Sequence, residues 1–254
     1  MFSLVFALFC GCQGKQSFNN FPLPPDNFVE EVFPDDDGVL DEDQRKKTYI
    51  LSKATGLRLR SKPSTSSAVV GQIDTNDILL YLGQEGEFYK TKYKEKTAYI
   101  HSKYSTLLQF DVGSDNVESA IDFGSQLLGY PYVWGSQRYH WGNGVLNKNF
   151  VNGEFDCSAL VLYVYYITNG VVLDVTSRAQ SLNGKQVEEG DLMRGDLMFF
   201  TNQSRKNKTG IERIGHVGIY FGGNYILHTA SDYAVIEPIS QTRWSYFICA
   251  RRVV

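Results

Sequence analysis

One cysteine and two histidines carry the chemistry this sequence can do. Cys157 lies in Phe155-Asp156-Cys157-Ser158-Ala159-Leu160-Val161, where an apolar run of helical spacing begins. Asp156 suits a helix N-cap, and Leu160, Val161, Val164, Tyr165 and Ile167 recur at the three-to-four spacing of a buried helical face before Asn169-Gly170 stops it. A thiol in the first turn of such a helix feels the positive end of the peptide dipoles, which favours the thiolate. Cys157 therefore reads as a nucleophile, or else as a small buried hydrophobe.

His216 and His228 fall in two apolar runs, Ile214 to Phe221 and Tyr225 to Ser231, which read as a β-hairpin around Gly222-Gly223-Asn224. Strand side chains alternate faces, so the loop decides whether the histidines meet. A two-residue loop pairing Phe221 with Asn224 puts them on opposite faces, whereas a three-residue loop pairing Phe221 with Tyr225 makes them diagonal neighbours on one face. In that register a thiol, a base to take its proton and a group to orient the base are available for acyl transfer. Cys157 would attack a carbonyl, His216 would take the thiol proton and return it to the leaving amine, and His228 would hold the His216 ring.

Four ordered motifs carry a family resemblance: Asp156-Cys157-Ser158-Ala159-Leu160-Val161, Gly195-Asp196-Leu197-Met198-Phe199-Phe200, His216-Val217-Gly218-Ile219-Tyr220 and Ile226-Leu227-His228-Thr229-Ala230. Together with Pro131-Tyr132-Val133-Trp134-Gly135 upstream, they resemble the NlpC-type cell-wall cysteine peptidases over roughly residues 111–254. The resemblance implies a papain-like α+β domain that hydrolyses the bond from γ-D-glutamate to a diamino acid, diaminopimelate or lysine, in peptidoglycan stem peptides. It implies Cys157, His216 and His228 as catalytic residues, and Tyr132, Asp156 and Ser158 as substrate-binding ones. Tyr132 is equally readable as a packed partner of Trp134, and Asp156 as a helix cap alone. Ser136 and Ala159 stand where the family usually has glycine, and the loop 137–154 is longer than its pattern.

The chain has 254 residues, 43% hydrophobic and 21% charged, with a formal net charge of −3, which suits a globular protein and gives no basic surface for nucleic acid. Residues 1–14 read as a signal peptide, with Cys12 a candidate for lipidation; this implies an extracytoplasmic location, secreted, periplasmic or anchored to the envelope. Residues 15–47 read as an acidic, proline-containing arm. Residues 48–110 carry five short β-rich runs separated by turns. Leu59-Arg60-Ser61-Lys62-Pro63-Ser64 and Tyr99-Ile100-His101-Ser102-Lys103-Tyr104 resemble bacterial SH3-like barrels. Residues 111–254 would form the peptidase domain, its first helix spanning 116–128.

No later run is apolar and long enough to span a membrane, and no cofactor is expected. A monomer acting on peptidoglycan or muropeptides is the expected form. A zinc site from Cys157, His216 and His228 lacks the short paired spacings of structural zinc modules and a fourth ligand. Two other functions stay open: a wall-binding module that does not cut, and a related cysteine amidase or acyltransferase acting on another amide.

Overall fold

The computed structural model describes residues 46–230 and 232–254. The leader at 1–14, with Cys12, and all of the arm before residue 46 lie outside the described residues. Lys46 and Lys47, expected to close the arm, instead open the first strand, β1 (Lys46–Ser52).

Eight strands precede the first helix. β1 pairs antiparallel with β4 (Ile78–Leu80) on one side and β8 (Ser105–Asp111) on the other. A second sheet runs β3-β2-β7-β6-β5, from β2 (Leu57–Arg60), β3 (Val69–Ile73), β5 (Gln84–Glu85), β6 (Phe88–Tyr93) and β7 (Lys96–His101). The five β-rich runs are all strands. β1, β5 and β8 went unread because two are half-polar, Lys46–Ser52 and Ser105–Asp111, and one is only two residues long.

The second part has helix α1 (Asp115–Gln126), helix α2 (Cys157–Asn169), the short α3 (Ser177–Gln180), and a six-stranded antiparallel sheet. The sheet runs β13-β12-β11-β10-β14-β9, from β9 (Lys185–Val187), β10 (Leu197–Phe200), β11 (His216–Gly222), β12 (Tyr225–Thr229), β13 (Ala234–Pro238) and β14 (Phe247–Arg252), with helix α4 (Gln241–Ser245) before the last strand. This is the expected α+β arrangement: a helix with cysteine at its start, packed on an antiparallel sheet and preceded by an SH3-like β module. Asp156 caps α2, its side chain accepting from the Ala159 amide, and Gly170 closes it in the left-handed conformation. The helix is more enclosed than a single apolar stripe implies. Every residue from Ser158 to Tyr165 is buried, while Ile167, expected on the buried face, is exposed. An α-helix apolar on all sides belongs inside the core, and α2 packs against α1 on one side and β11 and β12 on the other.

The β module is joined to the helices by backbone as well as side chains. In the β6–β7 turn the Lys94 and Glu95 amides donate to the carbonyls of Leu128 and Gln126 at the end of α1. Behind it the Tyr93 ring fills the space at Gly129, where a Cβ would lie 2.1 Å from Tyr93 Cζ. On the other side Arg194 is buried against Glu118 of α1 at 2.6 Å, Tyr49 Oη of β1 at 2.5 Å and the Phe221 carbonyl of β11 at 2.5 Å, its guanidinium lying over the Phe221 ring.

The β11–β12 hairpin turns on Gly223 and Asn224, at φ 56° and 67°, the positive pair of a type I′ turn. Gly223 also rests on Phe110 of β8, where a Cβ would meet Cε1 at 2.9 Å. Replacing Gly223 by alanine should destabilise the protein by about 1–2 kcal/mol from the backbone conformation alone. Denaturant unfolding should register that loss, and an unchanged midpoint would show that the turn bears no such constraint.

Candidate active site

The start of α2, which carries Cys157, faces the start of β11, which carries His216. Cys157 is the first residue of α2 and is half-buried; its sulfur faces the backbone N–H groups of Ser158 and of Val217, the residue after His216. Cys157 and Cys249 are both free thiols, and Cys249 packs against the core from β14.

The hairpin register is the one that brings the histidines together, but it arises differently from expected. Ile219 pairs with Leu227 and Tyr220 with Ile226, the register a three-residue loop would produce. The loop has only two residues, and the pairing Gly222 with Tyr225 leaves Phe221 as an extra residue in a bulge. Carried down the strands, this register sets Gly218 opposite His228 and His216 diagonal to it on the same face. His216 Nε2 and His228 Nδ1 lie 2.8 Å apart. Gly218 is what leaves room: a Cβ there would come within 2.9 Å of His228 Cβ and 2.6 Å of Ile226 Cδ1.

A fourth group extends the array. On β13, Val235 pairs with His228, so Glu237, two residues on, shares that face, and its Oε1 lies 2.9 Å from His228 Nε2. Arg243 Nη2 donates to the same oxygen at 3.2 Å. Glu237 was missed in the sequence, although it is the one charged residue of Ala234-Val235-Ile236-Glu237-Pro238 and strand parity follows from the hairpin. Burial works to raise the Glu237 carboxyl, but the hydrogen bond from His228 and the charge of Arg243 hold it below the usual carboxylate range.

This array settles the tautomers. An ionised carboxylate only accepts, so His228 Nε2 carries the proton and its Nδ1 is left as an acceptor. His216 must then donate from Nε2, leaving its Nδ1 bare and able to take a proton. Burial, and then the neighbouring His228 ring and the charge of Arg243, push His216 well below the ordinary histidine range. Burial likewise lowers His228.

The thiol does not rest as a thiolate, contrary to the expectation from the helix dipole. Burial, followed by the Asp156 carboxylate, pushes Cys157 up to about 11, and the amides of Val217 and Ser158 and the charge of Arg138 only partly oppose this. Resting thiol and imidazole are both neutral, so activation means a proton passing between them during attack.

Asp156 and Ser158 are buried, and their polar atoms are engaged within the protein. Asp156 Oδ1 accepts from the Ala159 amide at 2.9 Å and from Ser158 Oγ at 3.0 Å. Its Oδ2 accepts from Arg138 Nη2 at 2.8 Å and from the Gly135 amide at 3.2 Å. Arg138 also reaches Ser158 Oγ at 3.1 Å. Arg138 lies in the long loop 137–154, where nothing in the sequence marked it as the partner of Asp156. The same loop packs Tyr139 and Phe150 against Tyr163, and buries His140 against Tyr166.

Tyr132 is joined to Phe155 by a β-bridge and lines the cleft beside His216. Burial, then the nearby Cys157 and Asp156, raise its phenol. It is not packed on Trp134, which is 85% exposed.

A raised thiol pKa keeps Cys157 protonated until the pH approaches it. Carboxamidomethylation of Cys157, followed on its own peptide by mass spectrometry, should therefore accelerate about tenfold per pH unit through neutrality with no plateau below pH ~9. A plateau at pH 7 or lower would mean a preformed thiolate–imidazolium pair. Arg138→Leu should cost about 3–5 kcal/mol of stability, because it strands a buried carboxylate; thermal unfolding indistinguishable from the parent would refute the pairing.

Residues 129–253 match the NlpC/P60 family and residues 55–106 the bacterial SH3 domain. The chain is 34% identical over 143 residues to a peptidoglycan DL-endopeptidase, CwlO, of Bacillus licheniformis, covering 54% of this chain and 28% of that protein. It is 32% identical over 138 residues to a γ-D-glutamyl-L-lysine dipeptidyl-peptidase of Bacillus subtilis, covering 53% of this chain and 40% of that protein. This chain thus matches well under half the length of either relative. A crystal structure of an NlpC/P60 family protein from Bacillus cereus aligns at 22% identity with a TM-score of 0.44, over 82% of this chain and 63% of that one. The chain thus carries an NlpC/P60 domain at residues 129–253, with a bacterial SH3 domain ahead of it at residues 55–106.

Proposed function

We propose that the protein is a cysteine endopeptidase that cleaves the bond between γ-D-glutamate and the diamino acid of peptidoglycan stem peptides through an acyl-enzyme. The observation that carries this reading is the Glu237–His228–His216 array, which leaves one basic nitrogen of His216 beside the strand position that faces Cys157.

Cys157 attacks the γ-carbonyl of D-glutamate while His216 Nδ1 takes the thiol proton; the carbonyl π electrons move to oxygen, and a C–S bond forms. The developing oxyanion is met by the amides that open α2, a contribution of roughly 3–4 kcal/mol per donor in acyl-transfer enzymes. Tyr132, at the cleft wall, adds a phenol donor. As the C–N bond breaks, His216 gives its proton to the diamino acid nitrogen. Water deprotonated by the same imidazole then releases L-Ala-D-Glu and restores the thiol. His228 and Glu237 act as positioning residues, holding the His216 ring and stabilising its charged form during transfer. Asp156 and Ser158 hold the start of α2 with Arg138, and their remaining capacity for substrate is confined to the exposed edge of that cluster. The natural setting of such an enzyme is the extracytoplasmic face of the cell, where stem peptides are, with residues 1–14 as its leader.

Incubating L-Ala-γ-D-Glu-meso-diaminopimelate-D-Ala, and separately its lysine counterpart, with the reduced protein should release L-Ala-D-Glu by mass spectrometry. Cys157→Ala should release none, and Glu237→Leu should cut at least tenfold more slowly, since the array loses its anchor. Folded parent protein that leaves both peptides intact would sink the peptidase reading.

A further inference from the structure

We infer that the β module carries a ligand site of its own, a cleft on its outer face that takes a phosphodiester chain through Arg58 and Arg60. The site lies wholly within residues 54–104 and does not depend on the peptidase reading.

The sheet register builds it. Leu59 of β2 is fully buried, so Arg58 and Arg60, its neighbours on either side, share the outer face. Arg60 pairs with Tyr99 of β7, which sets Arg58 opposite His101, and His101 pairs in turn with Phe88 of β6. Phe88, on the same outer face, is nonetheless only 6% exposed. The His101 ring packs against it at 4.8 Å between centroids, and Tyr104, from the turn after β7, stands against His101 at 5.7 Å. The result is a cleft of about 280 Å³ whose lining includes Arg58, Arg60, Thr65, Phe88, His101 and Tyr104.

Donors and positive charge dominate the cleft, and no lining residue is acidic. Arg58 is exposed, and its guanidinium has no hydrogen-bond partner among the described residues. Arg60 donates from Nη1 to the Ser67 carbonyl at 2.7 Å and keeps the rest of its planar fork. His101 Nδ1 accepts from the Lys103 amide at 3.3 Å, so the neutral ring carries its proton on Nε2; the Glu87 carboxylate, 3.9 Å away, is beyond hydrogen-bond reach. The positive field extends past the cleft. Residues 53–73 hold Lys53, Arg58, Arg60 and Lys62 and no acid, and residues 96–110 hold Lys96 and Lys103 and no acid, in a chain of net charge −3. None of these six cations is in an ion pair among the described residues. Asp74 approaches the rim, where it accepts from the Gly56 amide. Cations gathered without acidic neighbours attract a ligand that repeats its negative charge. A phosphodiester chain does so: it can meet both guanidiniums and the flanking lysines, while the aromatic side of the cleft takes the carbons between phosphates. A stem peptide matches less well, because its diamino acid brings an ammonium into a positive field. A flat lipid surface does not reach Phe88 at the depth of a cleft.

Calorimetry on the full chain tests this with a synthetic glycerol-phosphate hexamer, poly-L-glutamate of matched charge, and vesicles of phosphatidylglycerol with phosphatidylcholine. The parent should bind the hexamer about tenfold or more tightly than poly-L-glutamate, and the affinity should fall as salt rises. Arg58→Gln/Arg60→Gln should weaken that binding by about tenfold or more. Arg58→Gln alone, at an exposed position that leaves the fold intact, should weaken it in the same direction. Lys206→Gln/Lys208→Gln, which removes two exposed charges from another part of the chain, should leave it unchanged. A parent that does not bind the hexamer, cleft variants that bind it fully, or an equal loss in the Lys206 and Lys208 variant overturns the inference. Poly-L-glutamate binding as tightly as the hexamer, vesicles binding where the hexamer does not, or displacement of the hexamer by an equal concentration of L-Ala-γ-D-Glu-L-Lys-D-Ala removes the phosphodiester from the site and overturns it as well. The kcat/KM for that peptide should be the same in the parent and all three variants. Because hexamer binding needs no cleavage, a failed peptidase reading leaves this test intact.

Discussion

The register of one hairpin governs everything at the site. Phe221 is carried in a bulge, and this single extra residue places His216, Gly218 and His228 on one face instead of two. A slip of one residue would turn His228 into the core occupied by Leu227 and bring Leu227 to the position of the base's partner. Gly223 and Asn224 supply the positive backbone angles of the turn, and Phe110, from the preceding β module, lies against the glycine. The arrangement of the histidines is thus held partly by a strand some hundred residues away in the chain.

Burial then decides the charge states. His216 and His228 are pushed toward their neutral forms and Cys157 toward its thiol, all by the same loss of solvent. Within the array Glu237 keeps its charge, because His228 and Arg243 both donate to it. That charge is at the far end of the array from the sulfur, so it sets proton positions without repelling a developing thiolate at short range. Asp156 is the nearer carboxylate and does raise the thiol; Arg138, paired with it, limits the effect. The two ion pairs therefore have different consequences: one orients the histidine pair, and the other secures the helix that carries Cys157.

The β module contributes to the same geometry. Its Lys94 and Glu95 amides close the end of α1, and the Glu95 side chain accepts from Tyr130 Oη at 2.6 Å and Asn152 Nδ2 at 2.7 Å, reaching the segments that lead into Tyr132 and Cys157. Among the aromatic residues of this module, Phe88, Tyr93 and Tyr99 are buried, and Tyr93 spends its ring at Gly129. The residue of this module that approaches the active-site loops is a carboxylate, which aromatic content could not reveal.

Local signals settled a good part of the protein. The Asp156 cap, the Gly170 stop and the apolar run between them define α2, and five β-rich runs and two histidine strands appear as strands because their hydrophobic pattern and turn residues agree. Cys157, His216 and His228 were read as a set because the proposed acyl-transfer chemistry uses all three. What lay outside the reach of sequence depends on contacts between distant segments. Whether the Cys157 thiol ionises depends on how much water α2 loses between α1 and the sheet, and burial there outweighs the helix dipole. Glu237, Arg138 and Arg243 acquire meaning only through the partners that folding brings to them, since a charged side chain in a loop or strand reads the same whether it is solvated or paired. Composition and periodicity determine which elements form; the bulge, the desolvation and the ion pairs follow from packing among elements far apart in the chain, and only the tertiary structure decides those.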